Sequence, residues 1–567
     1  MEELNIIMKF NEYKYERPNF KNVALELEDL AKKIDSSKNI DDIKKYINEC
    51  NIIRSNFDTM ATLVSIRHSI NTLDEYYEKE NDIFDENSNI VYSKTNLLAK
   101  VLVNHPLRKE LEAIYGSHWF KSMEVSLKAY DDSISDLLIQ ESKLVSEYNK
   151  VMASAQIEFD GKLNNLSQMK VYTTSIDRNT RFEAMKKINE FIALNEDTID
   201  DIYDRMVHIR HEMALKLGFK SFTELGYLRM GRTDYDSNDV AKYREQVVNY
   251  LVPLVNEIIM ENAKNIGIEN PKFYDLGLEF LDGNPTPKGD KNHLVNEALK
   301  MYSEMSEETK EFFTYMVEND LLDLETKKGK QNGGYCTYIN KYHSPFIFSN
   351  FNGTSGDVDV LTHEAGHAFM AYMASKEIDN PDLLWPTSEA CEIHSMSMEF
   401  LAYPWMENFF KEDTRKYKIS HTNQALIFIP YGCCVDHFQH LVYENPNATK
   451  LERKEMWKKC EKLYTPWRDM EGLPMYEKGN LWFNQLHIFQ CPFYYIDYTL
   501  AQVCALEFYA DSIIDRKNTW ERYVKLCKLG GSKSFVELID SVGLHNPFKD
   551  GGIEFIVKKI AEIKKNY

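Results

Sequence analysis

Two histidines four residues apart, with a glutamate directly after the first, stand in the stretch LTHEAGHAFM at residues 361–370. Side chains four residues apart share one face of an α-helix, so His363 and His367 can bind the same metal ion. Glu364 is turned by about 100° from His363, where its carboxylate can reach a metal-bound water. The pattern is the HExxH arrangement of zinc hydrolases, with two imidazole ligands and a carboxylate base. The alternative is two exposed histidines that share a face by chance.

A hydrolytic zinc site needs a third protein ligand and one open position. The extended motif HExxHxxGxxH would supply that ligand, but Met370 and Met373 occupy its last two positions, which excludes that class. The later stretch TSEACEIHSMSMEFLAY offers Glu389, Glu392 and Glu399. The last two lie seven residues apart and share a helix face. We favour Glu392 as the ligand and Glu399 as an acceptor that orients a ligand imidazole; the alternative is three solvated helix charges.

Two helices separated by a short connection must position these side chains. The pattern predicts the first helix over 358–376, with Ser355 or Asp357 as its N-cap, and a second helix that begins at Thr387 or Ser388. The first histidine lies about 20 Å from the end of its helix. The ten-residue connection is long enough to return over that distance, so we expect the second helix to begin beside the histidines.

An aromatic and β-branched stretch, residues 332–357, directly precedes the histidine helix and predicts two short strands joined by a turn. An exposed edge strand beside a metal can pair with an extended peptide. Gly333, Gly334 and Gly353 would permit a close approach of that peptide, or they are ordinary turn residues.

The segment HIFQCPFYYIDY offers hydrogen-bond donors at helical spacing. His487, Tyr494 and Tyr498 fall on one approximate stripe, although Pro492 is expected to kink or interrupt the helix. Amide hydrolysis places negative charge on the former carbonyl oxygen, and O–H or N–H donors stabilise that charge. The alternative is that these aromatic residues form part of the core.

HEAGH, followed after 24 residues by EIHSMSME, resembles the M3 family of zinc metallopeptidases, which includes thimet oligopeptidase and bacterial oligoendopeptidase F. Glu392, Ser395 and Glu399 match the E-x-x-S-x-x-x-E segment of that family. FNGTSGDVDVLTHEAGHA and HIFQCPFYYIDYTLAQ resemble two further family segments. The similarity spans about residues 170–550. The helical angiotensin-converting enzyme and Taq-type carboxypeptidase families share the HExxH-to-glutamate spacing but are less similar in these two segments.

The resemblance implies one Zn²⁺ per chain, bound by His363, His367 and Glu392. It assigns to Glu364 the activation of a zinc-bound water. The expected activity is hydrolysis of internal bonds in short unstructured peptides by a zinc metalloendopeptidase.

The resemblance also implies that a histidine and one or two tyrosines contact the substrate carbonyl. His487 and Tyr498 match best, and Tyr494 and Tyr495 compete for the remaining role. Thimet-type members carry a Gly-Gly loop in this segment, and here Cys491-Pro492 stands in its place.

The chain as a whole predicts a mainly α fold, since 23 glycines and 16 prolines among 567 residues are few. The resemblance implies two helical lobes that enclose a deep substrate channel, with a small β element beside the HExxH helix. A predicted hairpin at Asp160-Gly161 breaks the helical pattern. We therefore divide the chain into an N-terminal helical lobe, 1–170, and an M3-like catalytic region, 171–567.

A net charge of −21 argues against nucleic-acid and anionic-membrane partners. The start of the sequence has no apolar run typical of a signal peptide, no stretch is apolar enough to span a membrane, and the nine scattered cysteines indicate free thiols. These features favour the cytoplasm; they do not predict the oligomeric state.

Two alternative functions remain open. A metallocarboxypeptidase or dipeptidyl carboxypeptidase of a related helical fold would need a basic residue that binds the substrate carboxylate. A non-catalytic peptide-binding scaffold would have no need for Glu364.

Overall fold

The computed structural model describes residues 8–565 and is mainly α-helical. The helices, in chain order, are α1 (Phe20–Ser36), α2 (Ile40–Ile70), α3 (Glu75–Asn104), α4 (Arg108–Tyr115), α5 (Ser117–Lys128), α6 (Ser135–Ala153), α7 (Leu166–Thr173), α8 (Arg178–Leu194), α9 (Glu196–Lys216), α10 (Phe222–Arg229), α11 (Ser237–Gln246), α12 (Val252–Asn265), α13 (Lys291–Met305), α14 (Glu307–Glu318), α15 (Gly356–Ala374), α16 (Ser388–Leu401), α17 (Met406–Phe410), α18 (Thr414–Glu444), α19 (Lys450–Tyr464), α20 (Pro474–Glu477), α21 (Leu486–Gln490), α22 (Tyr495–Ile514), α23 (Arg516–Leu529), α24 (Phe535–Ser541) and α25 (Gly552–Lys564). The strands are β1 (Ile157–Phe159), β2 (Lys162–Asn164), β3 (Leu322–Glu325), β4 (Tyr335–Ile339) and β5 (Ser344–Phe351).

The chain divides into two compact units, each assembled from separate stretches of sequence. The first unit contains the described residues up to Leu127, together with Thr286–Thr414 and Glu507–Leu544. The second contains Lys128–Pro285, Arg415–Leu506 and the described residues from His545 onward. The sequence-based division at residue 170 stays a prediction.

In the first unit, α1, α2 and α3 pack against one another around a core of aromatic and aliphatic side chains. Phe20 meets Phe57 and Phe84 edge to face, with ring centroids 5.7 and 5.1 Å apart. Edge-to-face aromatic pairs stabilise a fold by more than their buried area alone would. Of these three helices, α2 also packs against strand β4 of a small sheet in the same unit.

The sheet has the strand order β3-β5-β4, with β3 parallel and β4 antiparallel to β5. The predicted pair of strands within 332–357 is thus confirmed as β4 and β5, and β4 lies at one edge. The parallel strand β3 was not predicted. Residues 344–349 of β5 are all buried, as is usual for a central strand with both faces covered. Helix α15 packs on β4 and β5.

In the second unit, the aromatic side chains of Tyr203, Phe438, Trp482 and Phe489 pack together in the core. The predicted hairpin is confirmed: β1 pairs antiparallel with β2, and Asp160-Gly161 forms the turn. Both turn residues have positive φ, 53° and 69°, which is the conformation that a type I′ hairpin turn requires.

Over the described residues, no helix combines the length and the apolar character that a membrane span needs.

Candidate metal centre and active site

Helix α15 carries both histidines, and most of its side chains are buried, as is usual for a helix that is apolar on most sides. It begins at Gly356, with Ser355 as N-cap residue, but the Ser355 side chain makes no capping hydrogen bond. The carboxylate of Asp357 instead accepts from the backbone N–H groups of Asn352 and Gly353, at 2.9 and 2.7 Å. These two bonds tie the end of the sheet to the first turn of α15.

Side chains from α15 and α16 converge at one point. The Nε2 atoms of His363 and His367 lie 3.2 and 3.5 Å from Oε2 of Glu392. One ligand atom from each residue can be chosen so that all three atoms lie within 4.8 Å of one another. Within the described residues, this is the one such group of three or more metal-binding side chains. The sequence-predicted trio is therefore brought together in space.

The orientation of His363 is set from the opposite side of its ring. Its Nδ1 donates to Oε1 of Glu399 over 2.6 Å, so Nε2 faces Glu392. Burial by itself lowers the pKa of His363, but hydrogen bonds to Glu392 and Glu399 outweigh burial and hold that pKa well above its ordinary value. The carboxylates that attract a proton to this imidazole would attract a metal cation for the same electrostatic reason.

Glu392 is held as an anion. Burial by itself raises its pKa, but His367 and His363 hold the pKa well below its ordinary value. The Ser395 hydroxyl, the serine of the predicted E-x-x-S-x-x-x-E segment, donates to Oε2 of Glu392 over 3.0 Å. An ionised, oriented carboxylate is what a metal ligand requires.

These residues fit a zinc ion. Two imidazoles and one carboxylate form a common ligand set for catalytic zinc. Nδ1 of His367 is buried and has no hydrogen-bond partner among residues 8–565. Nε2 of the same ring faces Glu392. A cation bound between Nε2 and Glu392 would give the otherwise weakly held His367 ring a strong contact.

The close approach of α15 and α16 depends on Gly366. A Cβ atom at this position would lie 2.6 Å from the carbonyl oxygen of His394 and 2.7 Å from the Cα of Ser395. No side chain fits against backbone at that distance, so the glycine lets the two helices touch. This contact brings Glu392 to the histidines.

Glu364 lies on the same helix but outside the trio. Its side chain is buried, and burial raises its pKa, while His363 and His367 lower it. A Cβ atom added at Gly334, next to edge strand β4, would lie 3.8 Å from Oε1 of Glu364. Gly334 therefore lies within contact distance of this carboxylate and places no side chain against it.

Two neighbouring residues that the sequence could have placed in the site lie outside the trio. Glu389 is buried one turn before Glu392 but does not belong to the cluster. Nδ1 of His394 donates to the carbonyl oxygen of Ala390 over 2.7 Å. His394 therefore makes a hydrogen bond within its own helix and does not belong to the trio.

The predicted oxyanion donors cluster in the second unit. The helix is interrupted as expected: α21 ends at Gln490, α22 begins at Tyr495, and Phe493 between them has a φ of 67°. The ring of His487 lies 5.7, 5.0 and 5.8 Å from the rings of Tyr494, Tyr495 and Tyr498, respectively. His487 is therefore a neighbour of all three predicted tyrosines. Their proximity to the metal trio stays a prediction.

Two buried arginines, which sequence reasoning missed, hold the backbone of this segment. Arg210 donates to the carbonyl oxygens of Ile488 and Phe489, and Arg232 donates to the carbonyl oxygen of Phe493 over 2.6 Å. Arg232 also pairs with Asp497 in α22. No short motif marks these arginines, because each lies more than 250 residues from the carbonyl groups that it binds.

Comparisons with known proteins place this geometry in a family. The sequence model described as the Peptidase M3 N-terminal domain matches residues 10–130, and that of Peptidase family M3 matches residues 171–557. The chain is 22% identical to an oligoendopeptidase F homolog from Borreliella burgdorferi, over 87% of this chain and 90% of that protein.

Solved structures agree with the sequence models. The structure described as PZ peptidase A with inhibitor 2 superposes with a TM-score of 0.93, at 46% identity over 99% of both chains. Oligoendopeptidase-F from Enterococcus faecium shares the fold, with a TM-score of 0.59 at 13% identity over 97% of this chain and 99% of that chain. The chain belongs to peptidase family M3 and is similar to the oligoendopeptidase F peptidases of that family.

Proposed function

We propose that this peptidase is a zinc-dependent oligoendopeptidase that hydrolyses internal bonds of short, unstructured peptides. The observation that carries the proposal is the convergence of His363, His367 and Glu392, with Glu364 beside them on α15. The trio would hold one Zn²⁺ per chain, which supplies a Lewis acid that makes water more acidic and polarises a carbonyl.

Glu364 acts as the general base. It takes a proton from the attacking water and delivers that proton to the amine that leaves. Burial favours this cycle, because the raised pKa makes the carboxylate a better proton acceptor than an exposed glutamate. The neighbouring His363 and His367 oppose this rise of the Glu364 pKa.

His487 and Tyr498 act as hydrogen-bond donors to the oxygen that gains negative charge. Tyr494 and Tyr495 are both candidates for the remaining donor. The Tyr495 ring packs between Phe428 and Tyr431, and burial raises the pKa of Tyr495 to about 12, although Gln485 lowers it.

An extended peptide is the expected partner. Edge strand β4 packs on α15 and can pair with a peptide backbone, which selects an unfolded chain over a folded one. We further propose that a channel between two lobes restricts substrates to short peptides, that nucleic acids and membranes are not partners, and that the protein acts in the cytoplasm.

A decapeptide blocked at both ends, incubated with the zinc-loaded chain, tests the activity. Internal cleavage, read by mass spectrometry, supports an endopeptidase. Cleavage of a peptide with a free C-terminus, but not of its C-terminally amidated form, would show a carboxypeptidase instead. Binding without cleavage of either peptide would show a scaffold.

The base is tested by Glu364→Gln. The variant should keep one zinc ion per chain, because the ligands are untouched, and should lose about 10²–10⁴-fold in kcat. A near-normal kcat at full zinc occupancy would disprove the assigned role of Glu364.

A further inference from the structure

One amide side chain in the second unit touches two residues of the aromatic cluster. The Tyr431 hydroxyl donates to Oε1 of Gln485 over 3.0 Å, and Nε2 of the same amide lies 2.9 Å from Nδ1 of His487. Gln485 directly precedes α21, and its backbone N–H is fixed by the carbonyl oxygen of Trp482 at 2.9 Å. The amide is therefore held at both its backbone and its side chain.

The orientation of this amide follows from Tyr431. Its hydroxyl proton has no acceptor other than Gln485 among the described residues, so the amide oxygen must face Tyr431. The Tyr431 ring is itself held in place, because the Arg468 guanidinium lies 4.3 Å from its centroid. The NH₂ group of Gln485 then faces His487.

An amide NH₂ group can only donate. Nδ1 of His487 must therefore accept, and in a neutral imidazole the proton then lies on Nε2.

We propose that Gln485 is a positioning residue that holds His487 in the Nε2–H form, so that this imidazole acts as a hydrogen-bond donor to the substrate oxygen. The inference rests on the proposed function of His487. In the opposite tautomer, Nε2 would present a lone pair, which repels an oxygen that gains negative charge. Tyr431 supports this tautomer indirectly, because its hydroxyl fixes the orientation of the Gln485 amide.

The test compares Gln485→Glu with Gln490→Glu in the full-length, zinc-loaded chain. A carboxylate at position 485 can only accept, so it would draw a proton onto Nδ1 of His487. Gln490 lies in the same segment and donates to Asn149, so its change adds the same charge without touching His487. The ¹⁵N spectrum of labelled histidine, with the His487 signals assigned by their loss in His487→Gln, reports which nitrogen carries the proton.

In the unchanged protein and in Gln490→Glu, we expect an unprotonated Nδ1 and a protonated Nε2. In Gln485→Glu, the proton moves from Nε2 to Nδ1, and kcat falls by about tenfold or more with little change in KM, because the lost Nε2–H donor acts in the transition state. A protonated Nδ1 in the unchanged protein would overturn the inference. So would an unaltered kcat in Gln485→Glu once the spectrum shows that the proton has moved. If the unchanged protein cleaves no peptide, the proposed function fails, but the spectrum still decides the tautomer.

Discussion

Gly366→Ala tests whether the contact between α15 and α16 creates the metal centre. In an ordinary helix interior this change stabilises a protein by up to about 1 kcal/mol, since alanine is the better helix former. Here the added methyl group would lie 2.6 Å from the carbonyl oxygen of His394, which is 0.8 Å less than the 3.4 Å at which ordinary contact begins. The obstacle is backbone, so a side-chain rotation cannot relieve it.

The two helices must therefore separate locally by several tenths of an ångström. Metal–ligand distances tolerate only about ±0.2 Å, and Glu392 sits on the helix that is displaced. We expect a loss of about 1–3 kcal/mol in stability from overpacking. The zinc affinity should fall by about 10–100-fold, the effect typical of disturbed support around a metal ligand.

The assay is zinc competition with a chromophoric chelator, combined with thermal unfolding of the zinc-free protein. Gly356→Ala is the matched control, because it makes the same change in the same helix, and its nearest neighbour is the Thr354 hydroxyl at 3.3 Å. That control should bind zinc normally. If Gly366→Ala binds zinc as tightly as the unchanged protein and unfolds no earlier, the close contact does not position Glu392, and the reasoning is refuted.

Three further predictions concern ligands, pH and substrate size. Glu392→Ala should lose zinc on dialysis while Glu389→Ala keeps it; metal analysis decides, and zinc loss only in the second variant would reverse the assignment. Burial raises the pKa of Glu461 from 4.5 to about 7 despite Arg468. The folded state therefore binds more protons than the unfolded state between these values, and stability falls as pH rises through that window. Glu461→Gln should accordingly raise the unfolding temperature at pH 8, by an amount that reflects up to about 3 kcal/mol, and should have little effect below pH 4.5; equal effects at both pH values would contradict this. Finally, a blocked decapeptide should be cleaved while reduced, alkylated casein stays largely intact, and rapid digestion of the long chain, seen by gel electrophoresis, would exclude an enclosed channel.

Local patterns alone determined much of this protein. The i,i+4 spacing of His363 and His367, the Asp160-Gly161 turn and the interruption near Pro492 all appear in the structure where the sequence predicts them. Each depends on interactions within about one helical turn or one hairpin, whose physics is the same in any surroundings. The mainly helical class follows for the same reason.

Long-range packing decided the rest. Glu389 and Glu392 lie three residues apart on one helix, and only the contact at Gly366 shows which of them faces the histidines. Strand β3 pairs with β5 more than twenty residues further along the chain, so no local alternation could reveal it.

The partners of Arg210 and the role of Gln485 were hidden for the same reason. Arg210 binds carbonyl groups more than 250 residues away, and the amide of Gln485 has its orientation fixed by Tyr431 from another helix. The sequence by itself determined which chemical groups are available and how neighbours along the chain share a face. Which of those groups meet is set by burial and hydrogen bonding between distant segments, and those energies exist only once the whole chain has packed.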